Sequence, residues 1–182
     1  MSLCAKAKDE FNMGCKARTV SFTQLYGGKI TAALSRQHPR DLFDCKYMDI
    51  SSFEDVKDGF MLCLLGSDKP IIESLQPNEI DQTDALEKQF EGMSDIAFSY
   101  EDYKQARLQL VKLVQEGMTK ADKDFLLSFE EGCPDWSLCS AGDLSKYPSV
   151  QWKLLNIRNL KEHNIQKHEQ GIKKLKDFLF PK

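Results

Sequence analysis

A proline-marked corner between two helices constrains the fold of this chain more than any other feature of its sequence. The stretch Phe22–Asp44 begins with apolar residues at loosely helical spacing, which are Leu25, Ile30, Ala33 and Leu34. The segment Gln37-His38-Pro39 should end this helix, because a residue that precedes proline disfavours the α region. Pro39 suits the first position of a second helix. We therefore predict helix, corner and helix, with Thr23 as the first N-cap.

The charged residues of this stretch follow the helical repeat. Lys29 and Arg36 are seven residues apart and share a face of the first helix, while Arg40 and Asp44 are four apart and share a face of the second. Asp41 falls in the first turn of the second helix, where the helix dipole favours a negative charge. If the helices fold back on each other, these five side chains converge. Cations that hold phosphate oxygens, beside a carboxylate that holds a metal or positions a hydroxyl, suit a nucleotide.

Two features of the same stretch leave alternatives open. Arg40 and Asp44 also fit an ordinary helix-surface ion pair, which contributes about 0.3 to 0.5 kcal/mol. Gly27 and Gly28 each lower helix propensity by roughly 1 kcal/mol relative to alanine. Such a cost indicates the close approach of either another backbone or a ligand.

The rest of the chain is predicted to be helical, apart from one short strand. Ser51-Ser52, Ser99 with Asp102, and Thr119 with Asp122 have the residue types of helix N-caps. Residues 150–180 form a long apolar-periodic run that Gly171 should break or bend. Residues 16–22 are rich in strand-forming types. The fold class that follows is mainly α: a multi-helix bundle with a small β element near the N-terminus.

We predict four segments from shifts in composition. Residues 1–22 form an N-terminal segment that holds the short strand. Residues 23–75 carry the charged cluster, residues 76–98 form a polar linker, and residues 99–182 form a C-terminal helical region.

Composition excludes several function classes. The chain has 182 residues, of which 41% are apolar, and a formal charge of -3, so no overall basic field draws it to nucleic acid or membranes. It has no apolar run long enough for a membrane span and no secretory signal. The six cysteines form no C-x-x-C motif, which favours free thiols in a reducing cytoplasm. The three histidines are not spaced for a metal on one helix, and we predict no metal site.

Two aromatic residues and a lysine-rich end leave their roles open. Trp136 and Trp152 suit packing between helices, and stacking on a nucleic-acid base is the alternative. The C-terminal run carries a basic face, which is either a solvated surface or an RNA-phosphate surface, formed by Lys161, Lys167, Lys173, Lys174 and Lys176.

The order of several segments resembles the nucleotidyltransferase AbiEii/AbiGii toxin family. The first is the lysine-bearing helix that ends in Arg36, followed by Pro-Arg-Asp-Leu-Phe-Asp at residues 39–44. The others are Phe-Leu-Leu-Ser-Phe at 125–129, Gly-Cys-Pro-Asp-Trp at 132–136 and Pro-Ser-Val-Gln-Trp-Lys-Leu-Leu-Asn at 148–156. The resemblance extends from about Arg18 to the end of the chain.

This resemblance implies a toxin of a bacterial toxin–antitoxin or phage-defence (abortive infection) pair. Such proteins transfer a nucleotide from a metal-bound nucleoside triphosphate, and some modify tRNA. By resemblance, Lys29 is the phosphate-binding lysine, Asp44, or as second choice Asp41, is its partner acid, and Arg36 and Arg40 are supporting cations. An antitoxin and tRNA are the expected partners.

The metal-binding half of that family has no counterpart in this sequence. The family carries a Gly-Ser or Gly-Gly loop and an Asp-x-Asp pair on a sheet, and here Gly27-Gly28 leads to Lys29 instead. Asp122-Lys-Asp124 has the spacing but lies at a predicted helix start. We therefore expect the C-terminal portion of a longer enzyme, truncated before its N-terminal domain and inactive alone. Nucleoside triphosphate and Mg²⁺ would belong to the full-length form. The alternative is a non-catalytic helical module that binds protein or RNA.

Overall fold

The computed structural model describes residues 9–10, 12, 18–50 and 52–181, which form nine α-helices and no strand. The helices are α1 (Phe22–Arg36), α2 (Pro39–Lys46), α3 (Lys57–Leu65), α4 (Ile71–Leu75), α5 (Thr83–Ala85), α6 (Tyr100–Gly117), α7 (Lys120–Glu130), α8 (Pro148–His163) and α9 (Ile165–Leu179). Short 3₁₀ turns occur at Phe53–Asp55 and Trp136–Leu138, and a π-helical turn at Leu86–Phe90. The predicted multi-helix bundle is confirmed.

The small β element predicted at residues 16–22 is not found in the described residues. Residues 16 and 17 lie outside them, residues 18–21 have irregular backbone, and Phe22 already begins α1. The physical reason is a local cap: Ser21 Oγ accepts the backbone N–H of Gln24 at 3.2 Å. Ser21 is therefore the N-cap instead of the predicted Thr23, and the helix outcompetes a strand that has no partner among the described residues.

The predicted corner is present, and unusual backbone geometry forms it. Gln37 ends α1 in the left-handed conformation with φ of 52°. His38 caps α2 by accepting the backbone N–H of Arg40 on Nδ1 at 3.2 Å, and Pro39 takes the first helical position. The chain reverses direction within these residues, so α2 lies back against α1.

A close crossing of α1 and α3 explains one of the two glycines in α1. A Cβ added to Gly27 would lie 2.2 Å from Phe60 N, and one added to Gly59 would lie 2.0 Å from Thr23 O. Both contacts are with backbone, so neither can be relieved by a side-chain rotation. Of the two explanations left open by the sequence, the approach of another backbone accounts for Gly27.

Helix ends elsewhere follow the predicted caps, with one exception. Reciprocal capping boxes occur at Ser99 and Thr119, and at Ser52 the Asp55 carboxylate accepts the Ser52 backbone N–H at 2.9 Å. The long C-terminal run, however, breaks at Asn164, whose side chain caps α9 by accepting the Lys167 N–H at 3.0 Å. Gly171, where a break was predicted, lies inside α9. A side chain that satisfies a helix terminus ends a helix more effectively than a glycine that only lowers its propensity.

One hydrophobic core joins most of the helices. The largest side chains that it buries completely come from α1, α2, α3, α4, α6 and α7, and they include Ile30, Leu34, Leu42, Phe60, Leu64, Ile71, Tyr103, Phe125 and Phe129. Val150 of α8 and Leu175 of α9 extend the same cluster. The predicted division into four segments stays a prediction. Among the described residues, no helix combines the length and the apolar character that a membrane crossing requires.

Candidate functional site

An ion pair between α1 and α2 lies at the centre of the predicted site. Lys29 Nζ lies 2.5 Å from Asp44 Oδ2, although the two residues are fifteen positions apart. The corner at residues 37–39 makes this contact possible, because it turns α2 back along α1. The side chains are 37% and 39% exposed, so a ligand in solution can reach both charges.

A second ion pair lies at the corner itself. Arg36 Nη2 lies 3.0 Å from each carboxylate oxygen of Asp41. The Asp41 side chain is only 12% exposed, whereas that of Arg36 is largely in solvent. Asp41 also occupies the first turn of α2, where the helix dipole stabilises its charge. Asp41 is thus held by structural contacts that Asp44 does not have.

Arg40 completes the group of five predicted site residues, which we call the Lys29–Asp44 cluster: Lys29, Arg36, Arg40, Asp41 and Asp44. Arg40 is exposed, and no ion pair of its side chain is found within the described residues. Asp44 pairs with Lys29 instead of with Arg40, so the surface pair considered as an alternative is not formed. The cluster therefore contains two matched ion pairs and one additional cation.

Cys45, one of the six cysteines that the sequence indicated to be free thiols, is a neighbour of the cluster. Burial, with smaller contributions from the Asp41 and Asp44 carboxylates, raises the pKa of the Cys45 thiol to about 12. The protonated thiol is a poor nucleophile and a poor metal ligand. In the sequence, only the spacing of four residues from Asp41 on the same helix indicates that Cys45 lies beside the cluster.

A buried polar network, missed by the sequence analysis, holds the corner. Gln37 is 2% exposed. Its Oε1 accepts from Arg107 Nε at 2.7 Å, and its Nε2 donates to Asn78 O at 2.6 Å. Tyr103 Oη donates to the Gln37 carbonyl at 3.0 Å. These partners lie 41 to 70 positions away, so no local pattern reveals them.

The residues of the cluster do not fit a divalent metal ion. In the described part of the chain, no group of three or more His, Cys, Asp or Glu side chains is arranged to hold one. The two carboxylates of the cluster are each paired with a cation. Asp122, the first acid of the Asp-x-Asp spacing in α7, is buried against Lys57 at 3.2 Å and accepts the Thr119 N–H. Its role is structural.

The cluster lies on the surface and does not line a deep cavity. Five prominent hollows on the described part of the chain are lined by other residues. A phosphate group could therefore approach Lys29 from solvent without any part of the described chain moving aside. A complete enclosed site needs a wall beyond these five side chains.

The two tryptophans have different environments. The Trp136 ring packs 5.5 Å from that of Phe125 and 6.2 Å from that of Phe129, measured between centroids. Trp152, in contrast, is 65% exposed on α8. Packing between helices therefore explains Trp136 but not Trp152.

The described residues form a helical bundle that presents the Lys29–Asp44 ion pair at its surface, with Arg36 and Arg40 on the same two helices. The family model described as "Nucleotidyl transferase AbiEii toxin, Type IV TA system" matches residues 5–154. Because this match spans most of the 182 residues, the chain belongs to the AbiEii nucleotidyl transferase toxin family. Membership in a toxin–antitoxin family implies an antitoxin partner. Comparison with curated proteins and with solved structures gave no significant match.

Proposed function

We propose that the Lys29–Asp44 cluster binds the phosphates of a nucleoside triphosphate, and that Asp44 acts on the acceptor hydroxyl during nucleotide transfer. The observation that carries this proposal is the 2.5 Å contact between Lys29 Nζ and Asp44 Oδ2, made by two side chains that are both partly exposed. Arg36 and Arg40 are the supporting cations. An ammonium group and two guanidinium groups offer the charge-assisted hydrogen bonds that phosphate oxygens require.

Asp44 is a better partner acid than Asp41. Its side chain is 39% exposed, against 12% for Asp41. Asp41 also contacts Arg36 through both oxygens, so its removal from that pair would disturb the corner. In our proposal Asp41 shapes the site, and it is the second candidate for the acid.

The resting ion pair suggests a simple sequence of events. Triphosphate oxygens compete with Asp44 for the Lys29 ammonium group, because both are anionic acceptors for the same donor. Binding of the triphosphate then releases the Asp44 carboxylate, which can accept a proton from an acceptor hydroxyl, such as one on tRNA. The triphosphate then supplies the negative charge that Asp44 no longer places beside the Lys29 ammonium group.

The proposal assigns Mg²⁺ to residues other than these 182. The sequence has no Asp-x-Asp pair after a glycine loop, and the cluster itself does not suit the ion. We infer that a metal-binding part of a longer protein completes the site, that the chain alone does not transfer nucleotides, and that the protein acts in the cytoplasm in defence against phage.

Triphosphate binding tests the cluster without requiring transfer. Isothermal titration calorimetry with ATP, GTP, CTP and UTP, in the absence of Mg²⁺, measures affinity for the chain as it is. We expect Lys29→Ala to weaken binding by roughly tenfold, as for the loss of one charge-assisted hydrogen bond. Asp44→Asn should preserve or increase affinity, because it removes the competitor for Lys29.

Lys104→Ala is the matched control for this experiment. Lys104 is a partly exposed lysine in α6 that forms an ion pair with Glu101 at 2.8 Å, so its loss changes the net charge equally. It should leave triphosphate affinity unchanged. An equal loss of triphosphate affinity in Lys29→Ala and Lys104→Ala would show that only the net charge of the chain matters. If the wild-type chain binds no triphosphate, the result would favour a non-catalytic interaction module.

Transfer is tested with radiolabelled nucleoside triphosphates, Mg²⁺ and total tRNA. We expect no labelling by this chain alone, and robust labelling would show that its own residues complete the metal site. In the longer protein, Lys29→Ala should abolish toxicity while the circular dichroism spectrum stays unchanged. Retained toxicity would make Lys29 an ordinary surface residue.

A further inference from the structure

A cavity beside the exposed Trp152 lies apart from the Lys29–Asp44 cluster and has chemistry of its own. Its volume is about 200 Å³. It lies between the loop after α3, the end of α7 and one face of α8. We call this cavity the Trp152 pocket, and its polar and aromatic side chains include Asp68, Lys69, Glu130, Trp152, Lys153 and Asn156.

The rim of the Trp152 pocket presents a flat aromatic surface. Trp152 is 65% exposed, although an indole ring buries a large apolar area wherever packing allows it. Asn156 follows one helical turn later and lines the same cavity. An exposed ring beside an amide offers both a stacking surface and hydrogen-bonding groups to a planar ligand.

The two ammonium groups of the wall are already engaged. Lys153 Nζ donates to Leu64 O at 2.9 Å, to Ser67 Oγ at 3.1 Å and to Lys69 O at 2.7 Å. These bonds use all three of its N–H groups. Lys69 Nζ donates to Ser35 O. The pocket is therefore poorly equipped to bind a phosphate group.

The two carboxyl groups of the wall, in contrast, have unfilled acceptor capacity. Glu130 Oε2 is buried and has no hydrogen-bond partner in the described structure. No ion pair of Asp68 or Glu130 is found in the part of the chain that the structure describes. An unpaired buried acceptor is costly. Because the Glu130 side chain lines the pocket, a turn of its carboxyl group about the terminal bond would bring an acceptor oxygen to a ligand that carries an N–H donor.

We propose that the Trp152 pocket binds an unstacked nucleobase with an exocyclic amine, presented by a single-stranded region of the acceptor RNA. The base stacks on Trp152, the Glu130 carboxyl accepts its amine N–H, and Asn156 contacts a neighbouring ring position. This inference rests on the proposed function for its acceptor and deepens it by giving that acceptor a binding site.

Charge and size favour a base over the other planar or cationic ligands. The formal charges of Asp68 and Glu130 balance those of Lys69 and Lys153, so the wall does not attract the cationic side chain of a peptide. The cavity of about 200 Å³ is smaller than the roughly 300–1,000 Å³ of sites for drug-sized ligands. One ring system fits that space better than a whole nucleotide.

Nucleosides test the pocket directly, because they carry a base and no phosphate. Adenosine, cytidine and uridine are titrated against the unmodified chain while tryptophan emission is recorded. We expect adenosine and cytidine to quench the emission, with uridine binding roughly tenfold more weakly because it lacks the amine donor. A short single-stranded RNA rich in adenine should bind more tightly than one of uracil alone.

Three variants identify the groups responsible. Trp152→Phe removes the reporter and should remove the nucleoside response, while Trp136 keeps its own emission as an internal reference. Glu130→Gln should reduce the preference for adenosine and cytidine over uridine, and Asn156→Ala tests the same preference if Glu130→Gln fails to fold. Leu155→Ala changes an exposed residue on the same helix that does not line the pocket, and it should leave binding unchanged.

Several outcomes would overturn the inference. These are quenching that persists in Trp152→Phe, equal affinity for the three nucleosides, or a response to a lysine- and arginine-rich peptide but to no nucleoside. The last result would indicate a protein partner. Lys29→Ala separates this inference from the proposed function, because it should lose triphosphate affinity and keep nucleoside quenching.

Discussion

The crossing of α1 and α3 gives the sharpest prediction about this fold, because adjacent glycines should respond in opposite ways to the same substitution. Gly27→Ala would place a methyl group 2.2 Å from Phe60 N, 2.4 Å from Gly59 C and 2.9 Å from Phe60 Cα. All three contacts are with backbone. The two helices must therefore move apart by about 1 Å or more to reach ordinary contact distances.

The magnitude follows from two opposing effects. Alanine gains roughly 1 kcal/mol over glycine in a helix interior. Overpacking against a backbone that cannot rotate away costs about 1–3 kcal/mol, and sometimes more, and here it also loosens core contacts between the two helices. We expect a net loss of about 2 kcal/mol in the free energy of unfolding, which lowers Tm by roughly 4–8 °C in a chain of this size.

Gly28→Ala is the matched control. Its Cβ would meet only Cys63 Sγ, at 3.6 Å, which is ordinary van der Waals contact. Only the gain in helix propensity should then remain, and the free energy of unfolding of the variant should exceed that of the wild type by about 0.5–1 kcal/mol. Urea denaturation followed by circular dichroism at 222 nm measures both changes. Wild-type stability in Gly27→Ala, or a clear loss in Gly28→Ala, would refute the geometry of the crossing.

Three further predictions concern groups whose surroundings the tertiary structure determines. Arg107→Ala should lower the free energy of unfolding by about 2–3 kcal/mol, because it leaves the buried Oε1 of Gln37 unpaired; urea denaturation checks this, and a change below about 0.5 kcal/mol would contradict it. Burial lowers the pKa of Lys153 to about 8, so the unfolded chain binds more protons between about pH 8 and 10.4. The free energy of unfolding of the wild type should therefore rise with pH across that window, relative to that of Lys153→Met. Parallel profiles of unfolding free energy against pH for the two proteins would contradict this prediction. Because the pKa of Cys45 is raised to about 12, a brief iodoacetamide pulse at pH 8 should label the exposed Cys133 and spare Cys45, as read by mass spectrometry; equal labelling would contradict its burial.

Much of the candidate site was predictable because its two helices are consecutive. In the sequence, a charged cluster is indicated by Pro39 and by the helical spacing of Lys29, Arg36, Arg40, Asp41 and Asp44. The sequence left the ion pair of Asp44 open, since both Arg40 and Lys29 were possible partners. Only the angle between α1 and α2 decides that Lys29 Nζ lies 2.5 Å from Asp44 Oδ2. The catalytic roles of these residues stay predictions.

The amino-acid sequence by itself determined the helical class, the corner at Pro39 and the capping boxes at Ser99 and Thr119, because these depend on interactions within a few residues. The tertiary structure decided the backbone contact at Gly27, the network around Gln37 and the exposure of Trp152. Each of these depends on atoms brought together from distant parts of the chain. The strand that residues 16–22 suggested shows the same limit, since a strand needs a partner that local sequence cannot specify, whereas a helix satisfies its own backbone.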